Sequence, residues 1–142
     1  TRYETLFPYT TLFRSAGLKP RLRLISYAAV AMDPTHTMWG PIYAIPKVLN
    51  RAGMKKEDID VWEINEAFAS QSVATMRELD LPLERMNMWG SGVSLGHPLG
   101  CTGARMVVTL MNIMDEVDGR YGVVSMCAAS GQGGAAIFER IV

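Results

Sequence analysis

Three polar side chains, Asn65, His97 and Cys127, stand in short motifs that are rich in small residues. Asn65 opens the motif Asn-Glu-Ala-Phe, His97 lies within Gly-His-Pro-Leu-Gly, and Cys127 comes shortly before Gly-Gln-Gly. An amide can hold a water molecule or donate to a carbonyl oxygen, and an imidazole or a thiol can move a proton. This set of groups is typical of an acyl-transfer site, which binds a thioester oxygen and moves a proton on carbon.

His97 is the best candidate for the base, because a glycine before it and a proline after it hold a tight loop with room for a reactant. Neutral imidazole accepts a proton from a thiol and, once charged, donates to an oxyanion. The alternative is a structural histidine that is hydrogen-bonded to the backbone of its loop. The flanking motif favours the catalytic interpretation of His97, whereas His36, the only other histidine, has no such setting.

Cys127 is predicted to close a buried strand just before a glycine-rich turn. A nearby imidazole is expected to bring the pKa of its thiol towards neutrality, so that the thiolate could deprotonate an activated α-carbon. Backbone N–H groups of the turn are expected to point at one locus, as an oxyanion requires. The alternative is that Cys127 is a small buried hydrophobic residue. Cys101, at a predicted helix start, is expected to have a packing role.

Asn65 is predicted to lie where a buried strand gives way to a helix. It could cap the first free N–H groups of that helix, or its amide could hold a water or donate to a carbonyl oxygen. Glu66 is expected in the first helical turn, where a carboxylate suits the helix dipole. Phe68 is expected to belong to the core or to a pocket wall.

Strands and helices are predicted to alternate along the chain, which indicates a layered α/β fold with a mixed β-sheet and helices packed on it. The predicted strands are 21–31, 59–64, 86–89, 121–127 and 135–140. The predicted helices are 40–52, 66–79 and 102–114, and Gly53 is a natural C-cap for the first of them. The short turn between the last two strands predicts an antiparallel hairpin.

The spacing of apolar residues predicts which face of each helix is buried. In the first helix the inner face comprises Ile42, Ile45, Leu49 and Ala52. In the second it comprises Ala69, Val73 and Met76. In the third helix Ala104, Val107, Val108 and Met111 fall at i, i+3, i+4 and i+7, which is the strongest helical pattern of the chain.

Composition and charge narrow the class of protein. A chain of 142 residues that is 49% hydrophobic is long enough for one domain with a core. The 14 basic and 14 acidic residues balance, so no basic field predicts binding to nucleic acid or to a membrane, and the apolar runs are too short to span a bilayer. Two cysteines form no disulfide framework, which favours a reduced, cytoplasmic location, although an upstream targeting segment would direct the protein to an organelle.

Residues 1–15 differ in character from the rest of the chain. Residues 5–15 resemble the in-frame translation of a common sequencing adapter and show neither helical nor strand periodicity. The segment comprising residues 1–15 is therefore expected to be non-native and to form no part of the fold. Residues 16–142 are expected to form one domain.

Three motifs, at residues 65–68, 96–105 and 127–133, resemble those of the thiolase family in both order and spacing. The resemblance covers residues 16–142 and implies the thiolase-like layered fold, in its C-terminal half only. Three ordered motifs are a specific signal, whereas any one of them alone would be weak.

The resemblance implies a role for each candidate residue. Asn65 would fix a water that forms one oxyanion hole together with His97, and His97 would also activate the family's nucleophilic cysteine. Cys127 would be the acid and base on the substrate α-carbon, and the backbone N–H of Ala129 would contribute to a second oxyanion hole. The remaining residues expected to bind substrate are Phe68, Gly96 and Gly131.

The reaction implied by the resemblance is CoA-dependent cleavage of a 3-ketoacyl-CoA, or the reverse Claisen condensation of acyl-CoAs. It implies acyl-CoA and CoA as substrates, no metal, no organic cofactor, and a homo-oligomer for the full-length protein. The family nucleophile lies in the N-terminal half, so this chain is expected to lack it and to be inactive alone. Two alternatives stay open: a non-catalytic module that binds CoA thioesters or a protein partner, and a truncated product with no function of its own.

Some positions depart from the family's pattern. Ala129 and Ser130 stand where Gly-Gly is commoner, which adds a Cβ atom to a turn that is expected to be tight. The family's pattern also differs at three other places, which are Trp89, Ser91 and the segment 37–41. These changes leave the shape of the acyl pocket, and with it the preferred chain length, open.

Overall fold

The computed structural model describes residues 15–141 of the chain. Its sheet has four strands: Leu22–Ala31 (β1), Val61–Ile64 (β2), Tyr121–Ala128 (β3) and Gln132–Arg140 (β4). Their order is β1-β4-β3-β2, with β4 antiparallel to both of its neighbours and β2 parallel to β3. The predicted mixed sheet and the predicted hairpin are therefore confirmed. The interpretation of residues 1–15 as non-native lies outside the described residues, apart from Ser15.

Between residues 16 and 141 four α-helices accompany the sheet: Gly40–Ala52 (α1), Ala69–Glu78 (α2), Gly92–Leu95 (α3) and Thr102–Glu116 (α4). Helix α1 packs against β1, β3 and β4, whereas α4 packs mainly against β2 and β3. Neighbouring residues of β2 belong to two different hydrophobic clusters. Trp62 packs with buried residues of α1, and Val61 packs with buried residues of α4. The two helices thus cover opposite faces of the sheet, which gives the predicted layered arrangement.

Helix α1 follows its sequence signals closely. Pro41 stands in the first turn, where its missing N–H leaves no hydrogen bond unmade. Gly53 ends the helix with a left-handed φ of 66°, and its N–H donates to the carbonyl oxygens of Leu49 and Asn50. The predicted C-cap is confirmed. The buried side chains of the helix include Ala44, Ile45, Val48 and Leu49, whereas Ile42 is only partly buried.

The predicted third helix is confirmed as α4, but the apolar pattern that predicted it does not mark its buried face. Ala104 and Val108 are exposed. The buried face consists of Thr102, Met106, Leu110, Ile113 and Met114. Apolar residues occur on both faces of this helix, and the larger ones face the sheet where Gly122 leaves room: a Cβ on Gly122 would lie 2.5 Å from Leu110 Cδ1 and 2.9 Å from Met114 Sδ.

The second helix also differs from its prediction. It begins at Ala69 rather than at 66, because Phe68 adopts an extended conformation. Its buried residues are Gln71, Ser72 and Thr75, whereas Ala69 and Val73 are exposed. An apolar pattern could not have found this face, because the side chains that are buried in it are polar.

Residues 86–89 do not form the predicted strand. Met86 makes one isolated parallel bridge to Trp62, and the chain then turns at Asn87, whose φ is +49°. The side-chain amide of Asn87 continues the pairing in place of a strand, because it accepts from the Ile64 N–H at 2.7 Å and donates to the Ile64 carbonyl at 2.9 Å. Residues 90–100, predicted as a loop, contain the single-turn helix α3.

Strand boundaries differ from the predictions by up to three residues. Strand β2 begins at Val61 because the preceding residues 56–58 form a short 3-10 turn, to which the Ile59 N–H donates. Strand β4 begins at Gln132, because hairpin pairing continues up to the contact between Ala128 and Gln132. The glycine-rich turn is therefore only residues 129–131.

Candidate active site

A cavity of about 620 Å³ opens where the end of β3 meets the start of α4. His97, Cys127, Phe68 and Ala129 line it. These four residues come from three chain segments that are far apart in sequence, and the fold brings them to one place. Asn65, Gly96 and Gly131 are not among the described residues that line the cavity.

His97 lies in the loop between α3 and α4 and is exposed. Its Nδ1 atom is 2.7 Å from the Oγ1 atom of Thr102, the first residue of α4. Gly96 and Gly100 have φ angles of 93° and 83°, which L side chains rarely adopt, so the loop requires glycine on both sides of the histidine. Gly96 thus shapes the backbone of the loop and does not line the cavity.

Cys127 lies near the end of β3, half-buried and opposite Gly133 of β4. The N-terminus of α1 rests directly on this part of the hairpin, since a Cβ on Gly40 would lie 3.0 Å from Cys127 Cα. Burial raises the pKa of the Cys127 thiol above its ordinary value of 9.0. The expectation that its surroundings bring this pKa towards neutrality is wrong for this structure, because desolvation disfavours the thiolate.

The turn after Cys127 does not direct all of its N–H groups to one locus. The N–H of Gly131 donates to Thr37 Oγ1 at 3.0 Å, and the carbonyl of Gly131 accepts from the Met32 N–H at 2.7 Å. Gly131 is buried, and it links the hairpin to the segment after β1. Ser130 has a left-handed φ of +62°. Ala129, which lines the cavity, does not have a positive φ.

Asn65 is fully buried directly after β2, and its backbone N–H donates to the Ser125 carbonyl at 2.9 Å. It does not cap a helix, because α2 begins four residues later. Within residues 15–141 its side-chain amide has no hydrogen-bond partner, although a Cβ on Gly92 would lie 3.0 Å from the amide oxygen. The Asn65 amide therefore lies under α3, and Ala67 and Phe68 of the same turn reach the cavity.

The sequence predicted Glu66 in the first turn of the second helix, and this prediction is wrong. Glu66 lies between β2 and α2, and its carboxylate accepts hydrogen bonds from the Val93 N–H and from Asn87 Nδ2, at 3.1 and 3.4 Å. The side chain therefore ties the turn after β2 to Asn87 and to the first turn of α3, and not to the start of α2.

Sequence reasoning missed several residues that line the cavity. The most prominent are three apolar side chains and one hydroxyl: Met38, Leu99, Met126 and Thr102. No local sequence pattern distinguishes a methionine that lines a pocket from one that fills the core. Thr102 read as an ordinary helix start, although its position five residues after His97 is the one available signal.

Within the described part of the chain, no helix is long and apolar enough to cross a membrane. Among residues 15–141 there is also no group of three His, Cys, Asp or Glu side chains that could hold a metal ion.

Comparisons with known proteins agree on one family. The model of the thiolase C-terminal domain matches residues 18–140. The chain is 54% identical over 117 residues to the mouse peroxisomal 3-ketoacyl-CoA thiolase B, covering 82% of this chain and 28% of that protein. It is 48% identical over 132 residues to a Yersinia enterocolitica 3-ketoacyl-CoA thiolase, covering 90% and 34%. The chain thus spans about a third or less of the length of these relatives.

Solved structures give the same result. The chain superposes on the crystal structure of the Bacillus anthracis acetyl-CoA acetyltransferase with a TM-score of 0.86 and 41% identity, over 92% of this chain and 33% of that one. It superposes on human mitochondrial 3-ketoacyl-CoA thiolase with a TM-score of 0.87 and 36% identity, over the same shares.

Proposed function

The chain belongs to the thiolase family, whose C-terminal domain it matches, and from this we propose that it forms the C-terminal part of an acyltransferase. The proposed reaction is CoA-dependent cleavage of a 3-ketoacyl-CoA, or the reverse Claisen condensation of two acyl-CoAs. The observation that carries the proposal is that His97 and Cys127, which are distant in sequence, line one cavity. An imidazole and a thiol are the groups that proton transfer in this reaction requires.

The lining of the cavity supports an acyl thioester as the substrate. Met38, Phe68, Leu99 and Met126 give it an apolar surface, which suits a hydrocarbon chain. The proposal includes coenzyme A as a substrate and no organic cofactor. We leave the length of the acyl chain open.

In the cleavage direction, His97 takes the proton from an attacking thiol as its sulfur bonds to the ketone carbon of the substrate. The bond between C2 and C3 then breaks, the electron pair passes to C2, and Cys127 donates the proton that completes acetyl-CoA. Coenzyme A afterwards takes the acyl group from the sulfur: the thiol proton of coenzyme A passes to the Cys127 thiolate, and His97 returns its proton to the sulfur that leaves. The raised pKa of Cys127 supports its role as donor, because the thiol stays protonated until the carbanion forms.

The attacking thiol is proposed to lie outside this chain. Cys127 has the acid role, and Cys101, the other cysteine of the chain, is exposed and does not line the cavity. The alternative function, a non-catalytic module that binds CoA thioesters or a protein partner, rests on this same observation. Under it the cavity binds the thioester and no bond is broken.

Two further groups are proposed to stabilise the negative charge that develops on oxygen. The backbone N–H of Ala129, at the cavity wall, would donate to the thioester oxygen. The buried amide of Asn65 would hold a water, and its lack of a partner within residues 15–141 supports this, because buried amides are nearly always hydrogen-bonded.

The location and assembly of the complete protein are also proposals. A reducing compartment suits a protein that needs free thiols, and one relative at 54% identity is named as peroxisomal. We propose a homo-oligomer for the full-length protein. Balanced charge gives no reason to propose nucleic acid as a partner.

A chimaera tests the proposal. Residues 16–142 replace the matching C-terminal third of the Yersinia thiolase, and thiolysis of acetoacetyl-CoA is measured. We expect turnover, and we expect Cys127→Ser and His97→Asn each to lower kcat by about 10²–10⁴-fold. A folded chimaera that keeps its activity in both variants would exclude the mechanism. An inactive chimaera, together with acetyl-CoA binding by the 142-residue chain, would instead support the binding module.

A further inference from the structure

Thr102 makes two hydrogen bonds through a single hydroxyl group. Its Oγ1 atom lies 2.7 Å from His97 Nδ1 and donates to the Pro98 carbonyl at 3.1 Å. Thr102 is 3% exposed, so its hydroxyl has little access to water. The two contacts together constrain where the protons of the imidazole lie.

The constraint follows from counting protons. A hydroxyl has one proton and two lone pairs, and a carbonyl oxygen can only accept. If the Thr102 proton points to the Pro98 carbonyl, the contact with His97 Nδ1 is a hydrogen bond only when that nitrogen donates. We propose that Thr102 is a positioning residue that holds neutral His97 in its Nδ1–H tautomer and leaves Nε2 free to accept a proton.

This inference rests on the proposed function, in which His97 is the base that takes a proton from a thiol. An imidazole with its proton on Nε2 would present a donor to the thiol at that atom and could not accept from it. Thr102 touches neither the thiol nor the acyl group in this scheme, and it acts through the ring.

The loop between the two residues is closed tightly enough to fix this geometry. The backbone N–H groups of Cys101 and Thr102 donate to the Pro98 carbonyl at 3.0 and 3.1 Å. Gly100, with a φ of 83°, lets the chain fold back onto the start of α4. Because α4 is fixed by buried side chains such as Met106, the hydroxyl has a fixed position relative to His97.

The competing arrangement is the reverse, with the Thr102 hydroxyl donating to Nδ1. The Pro98 carbonyl would still accept from two backbone N–H groups, so no buried group would lose its only partner. The two arrangements differ in the position of one ring proton, and an experiment that reads the tautomer separates them.

Nuclear magnetic resonance of the ¹⁵N-labelled 142-residue chain reads that proton directly. The chain has two histidines, and His36, which stacks on Trp39 with ring centroids 4.4 Å apart, is the internal reference. At alkaline pH, where imidazole is neutral, we expect long-range ¹H–¹⁵N correlations to show His97 with a protonated Nδ1 and a bare Nε2.

Three variants give the comparison. Thr102→Val keeps the shape of the side chain and removes the hydroxyl, so His97 is expected to shift to the Nε2–H form that dominates free histidine. Thr102→Ser is expected to keep the Nδ1–H form. Thr109→Val, which removes a hydroxyl from the same helix seven residues further on, is the control and is expected to leave His97 unchanged.

An Nε2–H tautomer in the wild-type chain overturns the proposal, and so does a Thr102→Val spectrum in which His97 keeps its Nδ1–H form. If Thr102→Val does not fold, the wild-type and Thr102→Ser spectra still test the proposal. The Nδ1–H form of His97 in both supports it, and the Nε2–H form in the wild type overturns it. In the chimaera, Thr102→Val is expected to lower kcat severalfold at unchanged KM, with recovery in Thr102→Ser. An inactive chimaera whose His97 keeps the Nδ1–H tautomer would overturn the proposed function and leave the tautomer assignment intact.

Discussion

The carboxylate of Glu66 accepts a hydrogen bond from the backbone N–H of Val93 at 3.1 Å. Its other oxygen accepts from Asn87 Nδ2 at 3.4 Å, and Asn87 in turn pairs with both backbone groups of Ile64. The turn that follows β2, which contains Asn65, is therefore bound to the segment that leads to His97. One carboxylate thus ties the first of the three motifs to α3, which comes directly before the second motif.

Removing that carboxylate should destabilise the chain. Glu66→Ala removes the acceptor of the Val93 N–H, and because Val93 is exposed, water can take its place, so we expect the free energy of unfolding in urea to fall by about 0.5–1.5 kcal/mol. Glu66→Gln keeps one carbonyl oxygen and should recover part of this loss. Glu84→Ala, at an exposed position in a 3-10 turn, is the matched control. Equal effects of Glu66→Ala and Glu84→Ala would contradict this role.

Close contact between Gly133 and Gly40 should make the site sensitive to one methyl group. A Cβ on Gly133 would lie 2.5 Å from Gly40 Cα, a backbone atom that cannot move without shifting α1. Gly133→Ala is therefore expected to lower the free energy of unfolding by about 1–3 kcal/mol or more. Gly134→Ala is the control, since its Cβ would meet nothing closer than the Ala28 carbonyl at 4.0 Å. Similar stability of the two variants in urea would show that the contact is not tight.

The layered fold could be predicted from the sequence because its signals are local. Gly53 ends α1 by its own conformation, and a three-residue turn decides that β3 and β4 pair. The buried face of α4 could not be predicted, since Val108 and Leu110 are both apolar. The choice between them depends on the space above Gly122, which only the assembled sheet provides.

The candidate site divides in the same way. His97 and Cys127 are recognisable from their motifs, and the fold brings them to one cavity. The hydrogen bonds around these two residues come from other positions. Thr37 Oγ1 accepts from the Gly131 N–H in the turn after Cys127, and Thr102 Oγ1 contacts Nδ1 of His97. The five-residue spacing of His97 and Thr102 is a weak signal for the second contact, whereas Thr37 and Gly131 lie 94 residues apart and meet only because the loops pack together.

The raised pKa of Cys127 should be visible in its alkylation. In a Cys101→Ser chain, Cys127 is the one remaining thiol, and its rate with iodoacetamide follows the fraction of thiolate. Because burial raises this pKa, the rate in the folded chain should reach its midpoint at a higher pH than in the unfolded chain. The same chain in denaturant is the control and should titrate as an ordinary thiol. A folded-state midpoint below the denatured one would contradict the expected direction.

Glu63 makes the stability of the chain depend on pH. Its side chain is fully buried in β2, and within residues 15–141 neither carboxylate oxygen has a hydrogen-bond partner. Burial raises the pKa of Glu63 to about 8, and the positive charge of Arg105 only partly opposes this. Between about pH 4.5 and pH 8, Glu63 is therefore protonated in the folded chain and ionised in the unfolded chain, where its pKa is the usual 4.5.

The sign of the dependence follows from that proton. Stability from this group is complete below about pH 4.5 and is lost as the pH rises through about 8, with a slope of at most about 1.4 kcal/mol per pH unit. Glu63→Gln removes the titrating group and should flatten the curve of unfolding free energy between these limits. Glu57→Gln, at an exposed position, is the control and should leave the slope unchanged. Urea unfolding at several pH values measures it, and parallel curves for wild type and Glu63→Gln would mean that Glu63 ionises in the folded chain as readily as in the unfolded one.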